Sequence, residues 1–257
     1  MFNFRTITIA WILALAGLWL IRGQLGGFAW PALAVSWLYF SMLVLGCIFI
    51  SWNFWFPSVC RGPLDAKRIA ISFDDGPAAG KTEKILDILA AEQVPAAFFC
   101  IGRNIEGNAD LLRRIDAEGH VIGNHSDSHH FWFDLFSTKK MLADLQRMDE
   151  RCHLAIGKRP RLFRPPYGVT NPNLARAVRS GGYVSMGWSV RSLDTVAKDP
   201  DALLNKLAGK IHPGAIFLFH DTVDLTAEVL PRFIRLAKEK GYAFERPDRL
   251  TSIEAYA

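Results

Sequence analysis

The first 60 residues of this 257-residue chain contain two charged side chains, Arg5 and Arg22, and no Asp or Glu. Between Arg22 and Arg61 lie 38 consecutive uncharged positions, well beyond the roughly 20 apolar residues that a helix needs to cross a bilayer. A stretch this long argues against the core of a soluble protein and for the membrane. Residues 31–55 read as one span, with Trp30 before it and Trp52 and Trp55 at its end, where aromatic side chains favour the membrane–water interface. Residues 6–22 form a second, shorter apolar run, and Arg22 at its end can snorkel to the interface. A cleaved signal is the competing reading. Ala14-Leu15-Ala16 has the small-x-small form, but Gly17-Leu18-Trp19-Leu20-Ile21 carries the apolar run straight through it. The expected organisation is a membrane anchor over 1–60, a hairpin of two transmembrane helices, followed by one domain over 61–257. Two spans return that domain to the side of the N-terminus. Arg5 on one flank and Arg61, Lys67 and Arg68 on the other outnumber Arg22 in the connecting turn. The positive-inside rule then predicts a multi-pass protein of a bacterial-type inner membrane whose domain faces the cytoplasm. A single uncleaved span would place it on the periplasmic or extracellular face instead.

Beyond residue 60 the balance changes: 28 basic side chains stand against 25 acidic ones. That near-neutrality gives no reason to expect a nucleic-acid partner. The four cysteines, Cys47, Cys60, Cys100 and Cys152, show neither metal-ligand spacing nor a disulfide framework. Short β-rich runs at 68–73, 96–101, 120–123, 161–164, 183–188 and 215–220 alternate with amphipathic helical patterns at 82–93, 110–118, 138–156, 172–180, 200–208 and 226–240. Six such alternations predict an α/β fold, a parallel sheet or barrel.

In folds of that kind the chemistry gathers at the carboxyl ends of the strands. The first strand runs into Ser72-Phe73-Asp74-Asp75-Gly76-Pro77 and the third into His125-Ser126-Asp127-Ser128-His129-His130. The fourth ends in Arg164-Pro165-Pro166-Tyr167-Gly168, the fifth leads to Trp188 and Asp194, and the sixth ends in His220-Asp221. Asp75, His125 and His129 form a set suited to a divalent ion, Zn²⁺ first and Co²⁺ or another as alternatives, with coordination positions left for reactants. His125 and His129, four apart, are expected on one side of a helical turn; His130 is the poorer-facing alternative. Asp74 is then the natural general base, and His220 the acid for a departing amine. Arg164 can orient Asp74, and Asp194 can orient His220. His120, His153 and His212 read as structural or surface residues. Trp188 reads as core near the floor of the site first and as a substrate platform second.

From about Lys67 to the C-terminus these residues resemble the NodB-homology polysaccharide deacetylases, carbohydrate esterase family 4. Ser72-Phe73-Asp74-Asp75-Gly76 is similar to that family's first motif, with its base and metal-ligand Asp in that order. His125-Ser126-Asp127-Ser128-His129 resembles its metal-binding His motif. Arg164-Pro165-Pro166-Tyr167-Gly168 resembles a third, which implies an oxyanion contact from the Tyr167 N–H. Leu218-Phe219-His220 resembles the motif of the catalytic acid, which implies that Leu218 lines the acetate pocket. The resemblance implies a distorted (β/α) barrel and hydrolysis of N-acetyl groups on amino sugars of a polysaccharide or lipid-linked glycan. A related deformylase and a non-catalytic, membrane-tethered glycan binder are the alternatives. One motif departs from the pattern: Arg191 stands where the family has an Asp, three residues before the retained Asp194, and Thr195 where it has Trp. A cation there suggests a substrate bearing a phosphate or other anion near the sugar; a surface Arg paired with a neighbouring acid is the plainer alternative. Phe131-Trp132-Phe133 and Phe136 follow the His motif, as a loop tucked into the barrel wall or as an apolar rim that meets the bilayer.

Overall fold

A computed structural model describes residues 3–257; Met1 and Phe2, the first positions of the expected anchor, lie outside the described residues. In chain order the elements are α1 (Phe4–Leu20), α2 (Ala29–Ile48), β1 (Ser58–Val59), β2 (Arg68–Asp74), α3 (Thr82–Glu92), β3 (Ala96–Cys100), α4 (Gly102–Ile105), α5 (Ala109–Ala117), β4 (Val121–Asn124), α6 (Thr138–Ile156), β5 (Leu162–Phe163), α7 (Pro172–Gly181), β6 (Val184–Met186), β7 (Val190–Arg191), α8 (Pro200–Ala208), β8 (Ile216–His220), α9 (Asp224–Glu239), β9 (Ala243–Phe244) and α10 (Pro247–Leu250). The six expected strands and six expected helices are all present, with ends shifted by a few residues. Strands β1, β7 and β9 were not expected. Each has two residues, too few to carry a periodic pattern.

Every strand pair is parallel, in the order β1-β6-β5-β4-β3-β2-β8-β7, with β9 beside β2. Strands β3, β4 and β8 are buried along their whole length, as expected where helices cover one face of a curved parallel sheet and side chains fill the other. Phe73, Phe98, Phe217, Phe219 and Phe233 pack with Ile and Leu side chains of α3, α5 and α9 in the main core. The sheet curves into a barrel that stays open: among the described residues β1 and β7, at its two ends, are not paired with each other.

The register positions the chemistry. Asp74 lies opposite Phe99 on one side and His220 on the other. Asn124, just before His125, lies opposite Cys100 and Phe163, the latter just before Arg164. Four strands therefore deliver Asp74, His125, Arg164 and His220 to one end of the barrel.

At the N-terminus α2 is, among the described residues, the one helix long and apolar enough to cross a membrane, while α1, with 17 residues, is shorter. Trp30, Trp37, Phe40 and Val44 of α2 are exposed. The two helices touch in antiparallel sense: the Trp11 ring stacks on Tyr39 at 4.6 Å, its Nε1 donates to Ser36 Oγ at 3.3 Å, and Trp19 meets Phe28. The expectation of a span reaching residue 55 needs correction. Helix α2 stops at Ile48, Ile50–Trp52 form a 3₁₀ turn, and Asn53 takes a left-handed conformation at φ 55°. Ile50, Phe54 and Phe56 are buried. Phe56 packs in the globular core with Phe133 and Phe163 and Ile50 lies against Gly187, whereas Phe54 packs back on Gly46 of α2 and Phe4 of α1. Sequence apolarity does not distinguish a side chain buried in protein from one buried in lipid.

Candidate active site

The turn after β2 sets the first two carboxylates apart. Asp74, the last residue of β2, points into the barrel and is buried, whereas Asp75 takes φ 79° and swings its carboxylate towards the His loop. Gly76 is required next, because a Cβ there would stand 2.0 Å from Asp221 Oδ2. Arg164 is wholly buried and donates through Nη1 to Asp74 Oδ1 at 2.7 Å and to Ser72 Oγ at 2.9 Å. Its Nε and Nη2 donate to the carbonyls of Met186 and Gly187, and its Cζ lies 3.9 Å from the Phe99 ring centroid. One carboxylate oxygen of Asp74 is thus held, and the other faces the site. Burial pushes the Asp74 carboxyl above its usual range against the pull of Arg164 and His220, the direction a general base at neutral pH needs.

His125 and His129 meet Asp75, but not on a helix as expected. Residues 125–130 form a loop in which Ser126 and His129 have positive φ, 66° and 40°. The loop is held from below: Ser126 N–H donates to Asn124 Oδ1, His129 N–H donates to Ser126 Oγ, and Asp144 accepts from the N–H groups of Asp127 and Ser128. Arg151 Nε donates to Asp127 at 2.7 Å, tying the loop to α6. Asp127 is therefore a brace and not a ligand. His125 Nδ1 pairs with the Arg164 carbonyl at 2.8 Å, so its Nε2 faces Asp75 Oδ1, 3.5 Å away. His129 Nε2 is also 3.5 Å from Asp75 Oδ1. Burial lowers the His125 pKa to about 3, which keeps it a neutral imidazole. The donor atoms of Asp75, His125 and His129 all lie within 4.8 Å of one another. Bonds of about 2.0 Å in a tetrahedral site imply ligand–ligand edges of about 3.3 Å, so the three residues fit a divalent ion. His130 does not join them; its ring lies against Phe136 and its Nδ1 accepts from the Trp132 N–H.

From the other side, His220 Nδ1 pairs with Asp194 Oδ1 at 2.8 Å. Asp194 Oδ2 also accepts from the His220 N–H and the Thr226 hydroxyl, which leaves His220 Nε2 as the nitrogen turned to the pocket. Burial alone would lower the His220 pKa, but the hydrogen bond and charge of Asp194, with the charges of Asp74 and Asp75, hold it above its usual value. Asp194 ends below its usual range because these partners outweigh its burial.

Tyr167 stands in a left-handed conformation at φ 60°, with its ring edge-on to His129 at 4.6 Å. Its backbone N–H makes no hydrogen bond among the described residues. Gly168 follows with φ +74°, and a Cβ there would lie 2.6 Å from the Trp188 ring. Asp74, Asp75, His125, His129, Tyr167, Gly168, Trp188, Arg191, Thr195, Leu218 and His220 line one cavity of about 190 Å³. Each side chain expected at the site thus lines it or bonds directly to one that does, as Arg164 and Asp194 do. Arg191 is exposed, makes no ion pair among the described residues, and has its Cζ 6.0 Å from the Trp188 ring centroid. Of the aromatic segment, Phe133 and Phe136 are buried, while Phe131, Trp132 and Leu135 are 69%, 55% and 70% exposed. The first two residues of the segment thus form an exposed apolar edge with Leu135, and Phe133 and Phe136 tuck into the wall.

Sequence reasoning missed the supports beneath the site. Asp221 is buried, its pKa pushed up to about 7 by burial, and it accepts from Thr82 Oγ1 at 2.6 Å. Thr82 Oγ1 in turn accepts from the Ala78 N–H, which ties the turn after β2 to β8. Asp149, reached by Asn124 and the Tyr183 hydroxyl, performs the same office under the His loop. An Asp beside a candidate catalytic His was the visible signal for the first; the second left none.

Comparison with known proteins adds to this geometry. The model of the polysaccharide deacetylase family matches residues 61–186. A peptidoglycan-N-acetylglucosamine deacetylase of Bacillus cereus is 31% identical over 198 residues, 76% of this chain and 72% of the relative. A peptidoglycan-N-acetylmuramic acid deacetylase of Bacillus subtilis is 32% identical over 193 residues, 74% of this chain and 73% of the relative. The crystal structure of a peptidoglycan N-acetylglucosamine deacetylase in complex with 4-naphthalen-1-yl-N-oxidanyl-benzamide superposes with a TM-score of 0.74 at 28% identity, covering 78% of this chain and 95% of that one.

Proposed function

The chain belongs to the polysaccharide deacetylase family, and from that premise we propose a membrane-attached, metal-dependent hydrolase that removes the acetyl group from an N-acetylated amino sugar of a polysaccharide or lipid-linked glycan. One observation carries the reading: Asp74 and His220, paired in register on β2 and β8, present a base and an acid beside the Asp75–His125–His129 set. A divalent ion held by those three residues, Zn²⁺ first and Co²⁺ or another as alternatives, would polarise the acyl oxygen and acidify water. Asp74 Oδ2, left open by Arg164, takes the proton of the attacking water as the new C–O bond forms. The Tyr167 N–H donates to the developing oxyanion, and Leu218 and Trp188 wall the acyl group. His220 gives the proton on Nε2 to the nitrogen as the C–N bond breaks, releasing acetate and a free amine. Asp194, by holding Nδ1, keeps that proton on the correct nitrogen.

Acetate release from chito-oligomers and peptidoglycan fragments, with and without chelator, tests the reading. Asp74→Asn should keep the metal and lose turnover by about 10²-fold or more, the worth of general-base assistance. Unchanged turnover in that variant would remove Asp74 from the chemistry, and full activity after chelation would remove the metal.

Attachment to the membrane rests on α2, with α1 lying along it. If both insert, the count of Arg5, Arg61, Lys67 and Arg68 against Arg22 places the catalytic domain on the cytoplasmic face. A C-terminal fluorescent-protein fusion should then glow and an alkaline-phosphatase fusion stay inactive. The opposite pair of results would establish α2 as a lone span with an exported domain.

A further inference from the structure

A larger cavity adjoins the catalytic one. It measures about 870 Å³ and lies at the opening of the barrel between β1 and β7. Trp188 and Arg191 belong to the walls of both cavities. Arg61, Arg191, Lys206 and Lys210 line it, no Asp or Glu does, and none of the four makes an ion pair among the described residues. Its far wall is the end of α2 and the turn after it, Ile48, Phe49 and Ile50. Lys206 Nζ donates to the Ser192 carbonyl at 3.1 Å and Arg191 lies over the Trp188 ring. Four cations without an ion pair, lining one space without a carboxylate, suit a strongly anionic group.

The catalytic loop is also tied to the membrane helix. Three residues after Tyr167, Thr170 donates its N–H to the Cys47 carbonyl at 2.9 Å and its hydroxyl to the Gly46 carbonyl at 3.0 Å. The rim of the catalytic pocket carries exposed Phe131, Trp132 and Leu135, with the Phe131 ring 6.5 Å from Tyr167. A site fixed to the last turn of an apolar helix and edged with exposed apolar side chains suits a bilayer surface.

We propose that this basic cavity binds the phosphate or pyrophosphate that joins the amino sugar to a lipid carrier, with the sugar in the catalytic pocket and the apolar chain leaving along α2. This deepens the deacetylase reading and rests on it for the sugar. The juxtaposition supplies each part of such a ligand in order: acyl pocket, Arg191 at the boundary, the remaining cations, then apolar surface.

The test uses the full chain in detergent micelles and two substrates, farnesyl-phospho-N-acetylglucosamine and the uncharged octyl N-acetylglucosaminide. The phosphate-linked compound should have the higher kcat/KM. Arg61→Ala with Lys210→Ala removes two exposed cations that make no side-chain hydrogen bond among the described residues, and the ratio of the two kcat/KM values should fall at least tenfold. Farnesyl phosphate should inhibit hydrolysis of the octyl compound far better than inorganic phosphate does. Acetate release from both substrates with a ratio that the variant moves less than about twofold would overturn the proposal and leave the deacetylase reading standing. Equal inhibition by inorganic phosphate would overturn the lipid part, and an equal preference for a soluble anionic glycan would assign the cavity to a polymer. If neither substrate is deacetylated, the deacetylase reading fails, and binding of a fluorescent farnesyl phosphate decides the cavity. Binding that the double variant weakens tenfold supports it, and binding that is absent or unchanged refutes it.

Discussion

Removing the Arg164 guanidinium should strand the carboxylate of Asp74. The arginine is 0% exposed and donates four hydrogen bonds, to Asp74, Ser72 and the carbonyls of Met186 and Gly187. Methionine in its place fills much of the volume and supplies none of these. Breaking a buried ion pair from one side costs about 3–5 kcal/mol, because the remaining charge is left uncompensated. Neutralising that charge as well, in Arg164→Met with Asp74→Asn, should recover about 2 kcal/mol, leaving mainly the unmet carbonyls at about 1 kcal/mol each. The pH dependence follows from the sign of the shift. Burial already raises the Asp74 pKa, and Arg164 is the largest cause opposing it, so losing Arg164 raises it further. A carboxyl with a raised folded-state pKa contributes stability that is full below its unfolded value, about 3.9, and lost as pH rises through the folded value. The deficit of Arg164→Met should therefore be large at pH 7 and smaller near pH 4. Urea titration of the full chain in micelles, followed by near-ultraviolet circular dichroism, reads both. A deficit below about 1 kcal/mol at pH 7, or one equal at the two pH values, would mean that Arg164 acts by packing and not by charge.

Three further outcomes are expected. His125→Ala should lose most of about one bound divalent ion per chain, measured by elemental analysis, since two remaining protein ligands hold a metal weakly; stoichiometric metal in the His125→Ala, His129→Ala double variant would dismiss the assignment. Asp194→Asn removes the main cause that raises the His220 pKa, so the alkaline limb of the kcat/KM profile, where the acid loses its proton, should move to lower pH; an unmoved limb would mean that His220 is not the acid. Gly168→Ala meets both a positive φ and a ring 2.6 Å away, and should cost about 1–3 kcal/mol in the same urea assay; a neutral result would show that the Trp188 ring yields.

The sequence by itself determined the alternation of strand and helix, and with it the end of the barrel where Asp74, Asp75, His125, His129, Arg164, Asp194 and His220 gather. This was legible because buried parallel strands read as continuous apolar runs, and a polar residue just past such a run can only face the end of the sheet. It also determined that the N-terminal segment is apolar, though not where that segment gives way to the globular core: Phe56 continues the apolar run and is core. Only the tertiary structure decided three other things. The His loop turns through positive φ at Ser126 and His129 because Asn124, Asp144 and Arg151, distant in sequence, hold it, whereas spacing alone suggested a helix. Asp221 and Asp149 act as buried supports because partners from other elements reach them. The basic cavity exists because β1 and β7 do not meet, which sets Arg61 beside Arg191, Lys206 and Lys210. Arg61 and Arg191, 130 residues apart in the chain, come to line one site only because the sheet curves until its two ends approach without pairing, and no local pattern records that curvature.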